Sequence, residues 1–552
     1  LKDLVKNVRH FGYLLGYQKK VYKEEDPANI KAAELMGKLH DRLKEIGYVG
    51  HSLEVYLVRL LFCLFAEDTT IFERKQFQEY IERRTNIDGS DLAAKLQELF
   101  QVLNTPEEKR FITLDEDLAA FPYVNGKLFD EPLPIASFDS KMRQALLDCT
   151  YIDWSKISPA IFGSMFQSVM KPEERRNLGA HYTSETNILK LIKPLFLDDL
   201  WEEFESVKGN KYQLTEFHKK LSTLKFLDPA CGCGNFLVIT YRELRLLELE
   251  ILRELYKGQQ VISIESIIWL NVDQFYGIEY EEFPARIAEV AMWLIDHQIN
   301  MMISNEFGKY FVRLPLTKAA KIVHGNALRI DWETLVPKSE LSYILGNPPF
   351  IGTAYQSKLQ KEDLEYVFSG LKSFGMLDYV AAWYAKSAKY IQDTKIKVAF
   401  VSTNSIVQGE QVGILWGYLF SQFNLRIHFA HRTFKWTNEA KGKAAVHVVI
   451  IGFACFDVTK KIIFEYNEIS GDPHEIIAKN INQYLIDAKD IIISPKTNPI
   501  CNVPKIGVGS ALLDGGHLIL DEDEKNYILN TEPNLSHYIK RFWSADEFIN
   551  NK

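Results

Sequence analysis

The sequence has few cysteines, which limits both its redox chemistry and its metal chemistry. Six are spread irregularly over 552 residues, so a disulfide framework is not expected and a reducing cytoplasm is the expected location. The pair Cys231 and Cys233 has no second Cys or His pair at zinc spacing, so we expect no metal centre. The other four are Cys63, Cys149, Cys455 and Cys501.

Long hydrophobic runs are also missing. The most apolar stretch, residues 55–65, reads VYLVRLLFCLF. It is too short to span a membrane and it contains Arg59, so it predicts a buried helix. The first ten residues, LKDLVKNVRH, lack the apolar core of a signal peptide, so no leader is expected.

An excess of positive charge is absent from the whole chain but present in one segment. The net charge is -8, which by itself argues against a nucleic-acid partner. Residues 424–461 nevertheless hold seven Lys or Arg and two acids, a local balance of +5. This segment is either a solvated loop or a contact surface for nucleic acid.

Short apolar runs separated by helical stretches dominate the chain from about residue 222. This alternation predicts an α/β fold with a doubly wound, Rossmann-like sheet of seven mostly parallel strands. The last two strands are joined without a helix, so the seventh is expected to be antiparallel. The predicted strands are 224–230, 274–279, 321–325, 342–346, 398–403, 426–430 and 445–453, and the predicted helices are 235–256, 282–299, 378–392 and 410–421.

Residues before about 165 have mostly helical patterns. Apolar residues recur at helical spacing over 29–47 and fill nearly every position of 52–65. An Asn-Gly pair between short apolar runs predicts a hairpin over 121–129. Near the other end, 514–529 predicts a turn, a short strand and the start of a helix.

A glycine-rich loop after the first predicted strand reads FLDPACGCGNF, residues 226–236. Gly232 and Gly234 let the backbone approach a ligand at a helix N-terminus. Asp228 precedes them, and its carboxylate would repel a phosphate but attract an ammonium group. A nucleoside with an amino-acid tail fits both features, which predicts S-adenosylmethionine (SAM) as the cofactor.

Polar residues at neighbouring strand ends extend this cofactor prediction. Glu279 ends the second strand, where an acid would bind ribose hydroxyls. Asn326 follows the third strand and would either read the adenine edge of the cofactor or cap its own turn. Upstream, Tyr182, Thr183 and Ser184 precede a helix. Ser184 or Thr183 is expected to cap this helix and also to touch the cofactor carboxylate.

The fourth strand ends at YILGNPPFIG, where a polar amide and two prolines stop the sheet. Asn347 offers a side-chain carbonyl, and Pro348 offers a backbone carbonyl without a competing N–H. Held rigidly by Pro349, these acceptors would bind both hydrogens of an exocyclic amine, and Phe350 would stack on its base. The tetrapeptide therefore predicts methyl transfer to an amine nitrogen, driven by positioning and preorganised acceptors.

In this order, GAHYT, DPACGCGNF, GIE, GNA and GNPPF resemble the motifs of gamma-class amino-methyltransferases that act on DNA adenine. Longer stretches, among them NLGAHYTSETNILK and HFAHRTFKWTNEAKGKAAVHVVIIGF, resemble the MmeI-like group of type IIG (IIL) restriction-modification enzymes. The resemblance implies a helical connector (1–165), a SAM-dependent methyltransferase domain (166–460) and a mixed segment leading into a target-recognition domain (461–552). It also implies that the nuclease and most of the target-recognition domain of the full-length polypeptide are missing here.

The same resemblance implies site residues in addition to those above. Double-stranded DNA would be the partner, with the target base flipped out and stacked on Phe350. The additional residues are Tyr182 with Thr183, Ala230 and Ala327 for the cofactor, Phe434 or Trp436 as a second aromatic wall, and Arg432, Lys435, Lys441 and Lys443 for DNA phosphates.

Four alternative functions remain open at this point. A protein glutamine methyltransferase also uses Asn-Pro-Pro-aromatic, although the basic segment favours DNA. An N4-cytosine DNA methyltransferase acts on a similar amine but more often has Ser-Pro-Pro. A metal-dependent nuclease would use Asp68, Glu73 and Lys75, which lie in a helical stretch rather than on a strand. A catalytically inactive DNA-binding scaffold is the fourth, and cofactor binding would separate it from an enzyme.

Overall fold

The computed structural model describes residues 27–124, 128–157, 183–257, 263–307, 319–436, 446–469, 471–493, 501–503 and 518–542. The chain divides into one unit of residues 1–494 and another of 495–552. The second unit contains a helix over Glu522–Thr531, which confirms the helix start predicted there. No described helix is long and apolar enough to cross a membrane.

The N-terminal part of the large unit is helical, as predicted. The helix α2 (His51–Asp68) is buried nearly all round, including Arg59, whose guanidinium donates to the backbone oxygens of Leu128 and Glu131 at 2.8 and 2.7 Å. These bonds satisfy a charge that the surrounding apolar side chains could not solvate. The other helices here are α1 (Pro27–Glu45), α3 (Gln76–Arg84), α4 (Leu92–Leu103), α5 (Glu116–Ala119) and α6 (Ser140–Thr150).

Within the described residues, one mixed sheet of nine strands follows, in the order β3-β2-β1-β4-β5-β7-β6-β8-β9. The first five pair in parallel, and β7 is antiparallel to both β5 and β6, as predicted. The strands are β1 (Phe226–Asp228), β2 (Phe275–Glu279), β3 (Lys321–His324), β4 (Tyr343–Gly346), β5 (Lys397–Thr403), β6 (Arg426–Trp436), β7 (Val446–Ala454), β8 (Lys461–Glu465) and β9 (His474–Ala478).

Helices cover both faces of the sheet. Alternate residues of a strand therefore pack into two different hydrophobic cores, one on each face. Phe226 of β1 lies in the core shared with the N-terminal helices, and its neighbour Leu227 lies in the opposite core. The covering helices are α7 (Glu185–Ile192), α8 (Asp198–Val207), α9 (Lys211–Thr223), α10 (Asn235–Tyr256), α11 (Glu282–Phe307), α12 (Trp332–Leu335), α13 (Lys358–Val367), α14 (Ala381–Tyr390) and α15 (Gly409–Phe423).

Two details differ from the sequence-based prediction. In the part of the chain that the structure describes, the sheet has nine strands rather than seven, because β8 and β9 extend it beyond β6. The hairpin over 121–129 is not formed by its described residues, since 121–124 are irregular and 128–130 form a turn. Its Asn125-Gly126 pair lies outside the described residues.

The helix α11 connects the sheet with the N-terminal helices. It begins three residues after β2 ends, and its second half packs against α2. The His297 ring Nε2 lies 2.6 Å from the Thr69 backbone oxygen, and the Gln298 amide donates to the Ile157 oxygen at 2.9 Å. The N-terminal helices and the sheet are therefore one packed body.

A buried charge cluster fixes α10 against α11. Arg245, which is fully buried, donates to Asp296 Oδ1 at 2.6 Å and to Asn300 Oδ1 at 2.7 Å, and its Nε lies 2.8 Å from Glu248 Oε2. Glu248 Oε1 also lies 2.8 Å from His218 of α9. Three helices are thus joined by groups that are costly to bury unless all partners remain present.

Replacing Arg245 by Ala should strongly destabilise the fold, because two buried carboxylates would lose their cationic partner. We expect the free energy of unfolding to fall by about 3–5 kcal/mol in urea titrations. The control is Arg286→Ala on the same helix pair, where the side chain is 48% exposed and lies 3.6 Å from Glu282. That change should alter stability by less than about 0.5 kcal/mol. Equal stability of the two variants would contradict this assignment.

Candidate active site

The candidate site lies at the carboxyl ends of β1, β2, β3 and β4. Backbone hydrogen bonds join the loops that leave these strands: Cys231 N–H donates to the Ile278 oxygen at 3.1 Å, and Gly325 N–H donates to the Glu279 oxygen at 2.7 Å. The sheet order reverses between β1 and β4, which is where open α/β sheets bind ligands.

The ends of β1 and β4 are in direct contact. Gly346 ends β4 with φ near 158°, and a Cβ at this position would lie 2.4 Å from Asp228 Oδ1. Only glycine fits so close to a carboxylate, so the contact requires this residue. It places Asp228 beside the residue that follows Gly346, which is Asn347.

Asp228 is the most buried acid of the site. Its side chain is 0% exposed, and Oδ1 accepts from the Ala230 N–H at 3.0 Å. Oδ2 is buried and has no hydrogen-bond partner among the described residues. Burial raises the pKa of Asp228 to about 8, and the Glu279 carboxylate adds to the rise. A cationic ligand group would satisfy Oδ2 and reverse that shift.

The glycine loop presents its backbone to Glu279. Gly232, with φ of 54°, donates its N–H to Glu279 Oε2 at 2.8 Å, and Oε1 accepts from the Glu281 N–H at 3.0 Å. Gly234 precedes α10 with φ of 84°, and a Cβ there would meet the Ala288 Cβ at 2.9 Å. The acid and the loop therefore form one preorganised unit.

Asn326 makes the local contacts of a turn residue. Its Oδ1 accepts from the Leu328 N–H at 2.9 Å, and its Nδ2 donates to Asp363 of α13 at 2.8 Å. The alternative role considered above, a capping Asn, is therefore present. Ala327 is buried beside it, and its backbone oxygen accepts from the Trp332 indole at 2.9 Å.

Asn347 directs an unsatisfied oxygen into the interior. Its Nδ2 donates to Thr183 Oγ1 at 3.2 Å, while Oδ1 is buried without a hydrogen-bond partner among the described residues. Pro348 is buried, and the half-buried Phe350 packs against both cores. Ser184 stands at the N-cap of α7, one of the two expected capping residues, although its side chain makes no capping hydrogen bond.

Several residues that hold these loops were missed by sequence reasoning. Asp378 accepts from the N–H of Ile351, directly after Phe350, at 3.0 Å. The Trp383 indole donates to the Pro229 oxygen at 3.0 Å, and the Tyr379 hydroxyl donates to Asp363 at 2.8 Å. Each contact joins positions at least 16 apart in sequence, so no local motif marks them.

The two candidate aromatic walls are both buried. Phe434 is 1% exposed and stacks on Tyr466 with ring centroids 5.0 Å apart, while Lys190 Nζ lies 4.6 Å from its centroid. Trp436 is 2% exposed, and its indole N–H has no partner among the described residues. Both rings point to the same face of β6, since they are two residues apart.

The basic segment is less cationic than its sequence suggests. Arg432 pairs with Glu465, Arg426 with Asp490 at 3.4 Å, and the nearly buried Lys461 with Asp457 at 2.8 Å. Lys435 is exposed. Three residues of the predicted site, Tyr182, Lys441 and Lys443, lie outside the described residues.

The nuclease alternative gains no support from the described geometry. Asp68 Oδ2 accepts from the Trp154 N–H at 2.7 Å, so this carboxylate holds a turn. Lys75 occupies the N-cap of α3 with φ of 65°. Within the described residues no group of three His, Cys, Asp or Glu is arranged to hold a metal ion.

Comparison with known proteins gives four matches to family models of MmeI domains. Residues 1–46 match the N-terminal domain, 51–129 the helicase spacer domain, 204–465 the DNA-methyltransferase domain and 487–552 the target recognition domain. The methyltransferase match covers β1 to β8. The expectation that most of the target-recognition domain is missing is not confirmed, because a match to that domain lies within the chain.

Two individual proteins are similar over nearly the whole chain. The chain is 41% identical over 555 residues to DNA methyltransferase A of Bacillus subtilis (strain 168), covering 98% of this chain and 62% of that protein. It is 62% identical to the solved structure of the type IIL restriction-modification enzyme MmeI in complex with DNA, with a TM-score of 0.90. That comparison covers 96% of this chain and 70% of the other. The chain thus spans less than two thirds of the Bacillus protein.

Replacing Asp228 by Asn should stabilise the ligand-free protein, and more at pH 8 than at pH 5. The pKa of Asp228 rises from 3.8 to about 8 on folding, so the folded state binds more protons and stability falls as pH rises through this window. We expect Asp228→Asn to raise the free energy of unfolding more at pH 8 than at pH 5. Urea titration at both pH values measures this.

The exposed Glu365→Gln is the control for that titration and should change nothing. If SAM is the cofactor, as the sequence predicts, the same Asp228→Asn protein should bind it more weakly, since a neutral amide does not attract a cation. Unchanged stability at pH 8 together with unchanged SAM affinity would exclude the assigned role of Asp228.

Proposed function

This chain belongs to the MmeI family of type IIL restriction-modification enzymes, and we propose that it uses SAM to methylate the N6 amine of adenine in DNA. One observation carries the proposal. The side-chain oxygen of Asn347 is buried and unpartnered among the described residues, and it lies at the strand end that touches Asp228. A buried acceptor without a donor is costly unless a ligand supplies the donor.

The cofactor assignment rests on the donor and acceptor groups of three loops. Asp228 Oδ2, which has no partner among the described residues, suits the ammonium group of SAM, and the glycines at 232 and 234 give backbone access beside it. Glu279, which accepts from the Gly232 N–H, would also accept from the ribose hydroxyls, and Asn326 with Ala327 forms the turn proposed for the adenine ring. When bound, SAM would supply the methyl group, which is activated because it is attached to the positively charged sulfonium. Thr183 and Tyr182 complete the proposed cofactor residues.

The residues of the chain contribute to catalysis by accepting hydrogen bonds from the target amine and by orienting it. Asn347 Oδ1 and the Pro348 backbone oxygen accept the two hydrogens of the adenine amine, which draws its lone pair out of conjugation with the ring. Pro349 keeps the turn rigid, and Phe350 offers a face to the base. The acceptors exist before the substrate binds, so little reorganisation is needed in the transition state.

Access to this turn requires the adenine to leave the duplex, since an amine within stacked base pairs cannot reach a buried acceptor. We assign the second wall of the base pocket to Phe434 or Trp436. The phosphate contacts are assigned to Arg432, Lys435, Lys441 and Lys443, and such contacts make binding sensitive to salt.

The whole protein is expected to act in a restriction-modification system, with a nuclease in the full-length polypeptide. Its location is expected to be cytoplasmic, on the basis of sparse cysteines. The N4-cytosine and glutamine alternatives differ from the proposal in the product formed, so product analysis separates them.

Incubation with labelled SAM and mixed duplex DNAs, followed by digestion to nucleosides, should yield N6-methyladenine. Asn347→Ala should lower the rate at least about 100-fold, because an acceptor aligned for the transition state is removed. The measurement is chromatography of the labelled nucleosides. Asn210→Ala, at an exposed position before α9, is the matched control and should keep full activity.

Other products would replace the proposal. Label in N4-methylcytosine would move the substrate to cytosine, and label in a protein glutamine but not in DNA would favour the protein methyltransferase. Full activity of Asn347→Ala would remove the proposed chemistry altogether.

A further inference from the structure

A short segment, residues 378–383, holds three of the four loops of the proposed site, those after β1, β3 and β4. It includes the residues just before α14 and the first turn of that helix, and none of its residues belongs to the predicted site motifs. One of its residues holds the loop after β4, a second reaches the turn after β3 through Asp363, and a third holds the loop after β1. All three side chains act on loops of the same site, which indicates a shared role in holding it.

The first contact fixes the catalytic turn. Ile351 directly follows Phe350, and both of its backbone polar groups are held. Its N–H donates to Asp378 Oδ1 at 3.0 Å, and its oxygen accepts from the Tyr379 N–H at 3.1 Å and from the Gln356 amide at 2.9 Å. The chain therefore cannot rotate at Ile351 without breaking three hydrogen bonds, which preserves the orientation of the preceding residues.

The second contact fixes the turn that carries Asn326. The Tyr379 hydroxyl donates to Asp363 Oδ2 at 2.8 Å, and the same carboxylate accepts from Asn326 Nδ2 at 2.8 Å and from Arg329 Nε at 2.6 Å. Asp363 is 5% exposed, so these charge-assisted bonds are shielded from water. Tyr379 thus belongs to both networks, through its backbone and through its hydroxyl.

The third contact makes the segment continuous with the glycine loop. The Trp383 indole donates to the Pro229 oxygen at 3.0 Å, and its ring meets the Tyr379 ring edge to face at 5.2 Å between centroids. Both rings are nearly buried, at 5% and 6% exposure. The segment is therefore a rigid support on which the three loops are assembled.

We propose that Asp378 and Tyr379 are positioning residues of this site, with separate effects on the two halves of the reaction. Asp378 sets the geometry of the catalytic turn, so its loss acts on kcat. The Tyr379 hydroxyl sets the Asn326 turn through Asp363, so its loss acts on cofactor binding. The proposal rests on the proposed function, since it divides that site into a catalytic and a cofactor half.

Tyr379→Phe removes one hydroxyl and tests the cofactor half. We expect the Kd for SAM, measured by calorimetry without DNA, to rise about tenfold, because Asp363 loses one of its three donors. The value of kcat at saturating SAM should stay within about twofold. The matched control is Tyr390→Phe, which removes a hydroxyl bonded to the Val336 oxygen at the far end of α14 and should leave Kd and kcat unchanged.

Asp378→Ala tests the catalytic half and should lower kcat about 10- to 100-fold with the Kd for SAM within about threefold. Asp378→Asn should restore most of the rate, because its remaining carbonyl oxygen can still accept from Ile351 and Val380. Circular dichroism and thermal melts show whether each variant is folded, so that rates refer to folded protein.

The outcomes separate the inference from the proposed function. Equal SAM affinity in Tyr379→Phe and wild type, or equal kcat in Asp378→Ala and wild type, overturns the inference while wild-type methylation of adenine keeps the proposed function. If wild type binds SAM but methylates no DNA, the proposed function fails. The change in Kd for SAM in Tyr379→Phe then still tests the proposed role of Tyr379 in cofactor binding.

Discussion

Two buried oxygen atoms without partners are the constraint around which the structure is arranged. Asp228 Oδ2 and Asn347 Oδ1 lie at the ends of adjacent parallel strands, and neither has a hydrogen-bond donor among the described residues. A folded protein rarely leaves such atoms unsatisfied, because each costs about 1–3 kcal/mol. The surrounding fold must therefore hold both in place against their tendency to find water or to turn away.

The sheet supplies most of that restraint. Because β1 and β4 are neighbours where the strand order reverses, the chain leaves them toward opposite sides of the sheet, and open α/β sheets bind ligands at such a point. Gly346 allows the two strand ends to be in contact there, and cores on both faces prevent the strands from shifting. Segment 378–383 then fixes the loops from outside, so the unpaired atoms stand on rigid elements rather than mobile ones.

Much of this was visible in the sequence, and the reasons are physical. Strands β1 to β5 and the helices between them follow from apolar runs and helical periodicity, and the start of α10 follows from Gly234. The missed features depend on distant partners. The pairing of Arg432 with Glu465, the addition of β8 and β9, and the bond between Asp363 and Asn326 arise from the tertiary arrangement, which no local spacing encodes. Asn326 shows a different limit of sequence-based prediction. An asparagine after a strand can cap a turn or contact a ligand, and the residue type alone does not distinguish these two roles.

The helix α11 also has a consequence for how the molecule responds to change. It starts beside the acid proposed to bind ribose and ends against the N-terminal helices, and one hydrophobic core includes side chains from both regions. At 26 residues it is about 39 Å long, which spans most of a domain. The amino-terminal helices are therefore not an interchangeable attachment. A graft that exchanged them between relatives would have to carry the matching face of α11 with it, or leave two complementary apolar surfaces exposed to water.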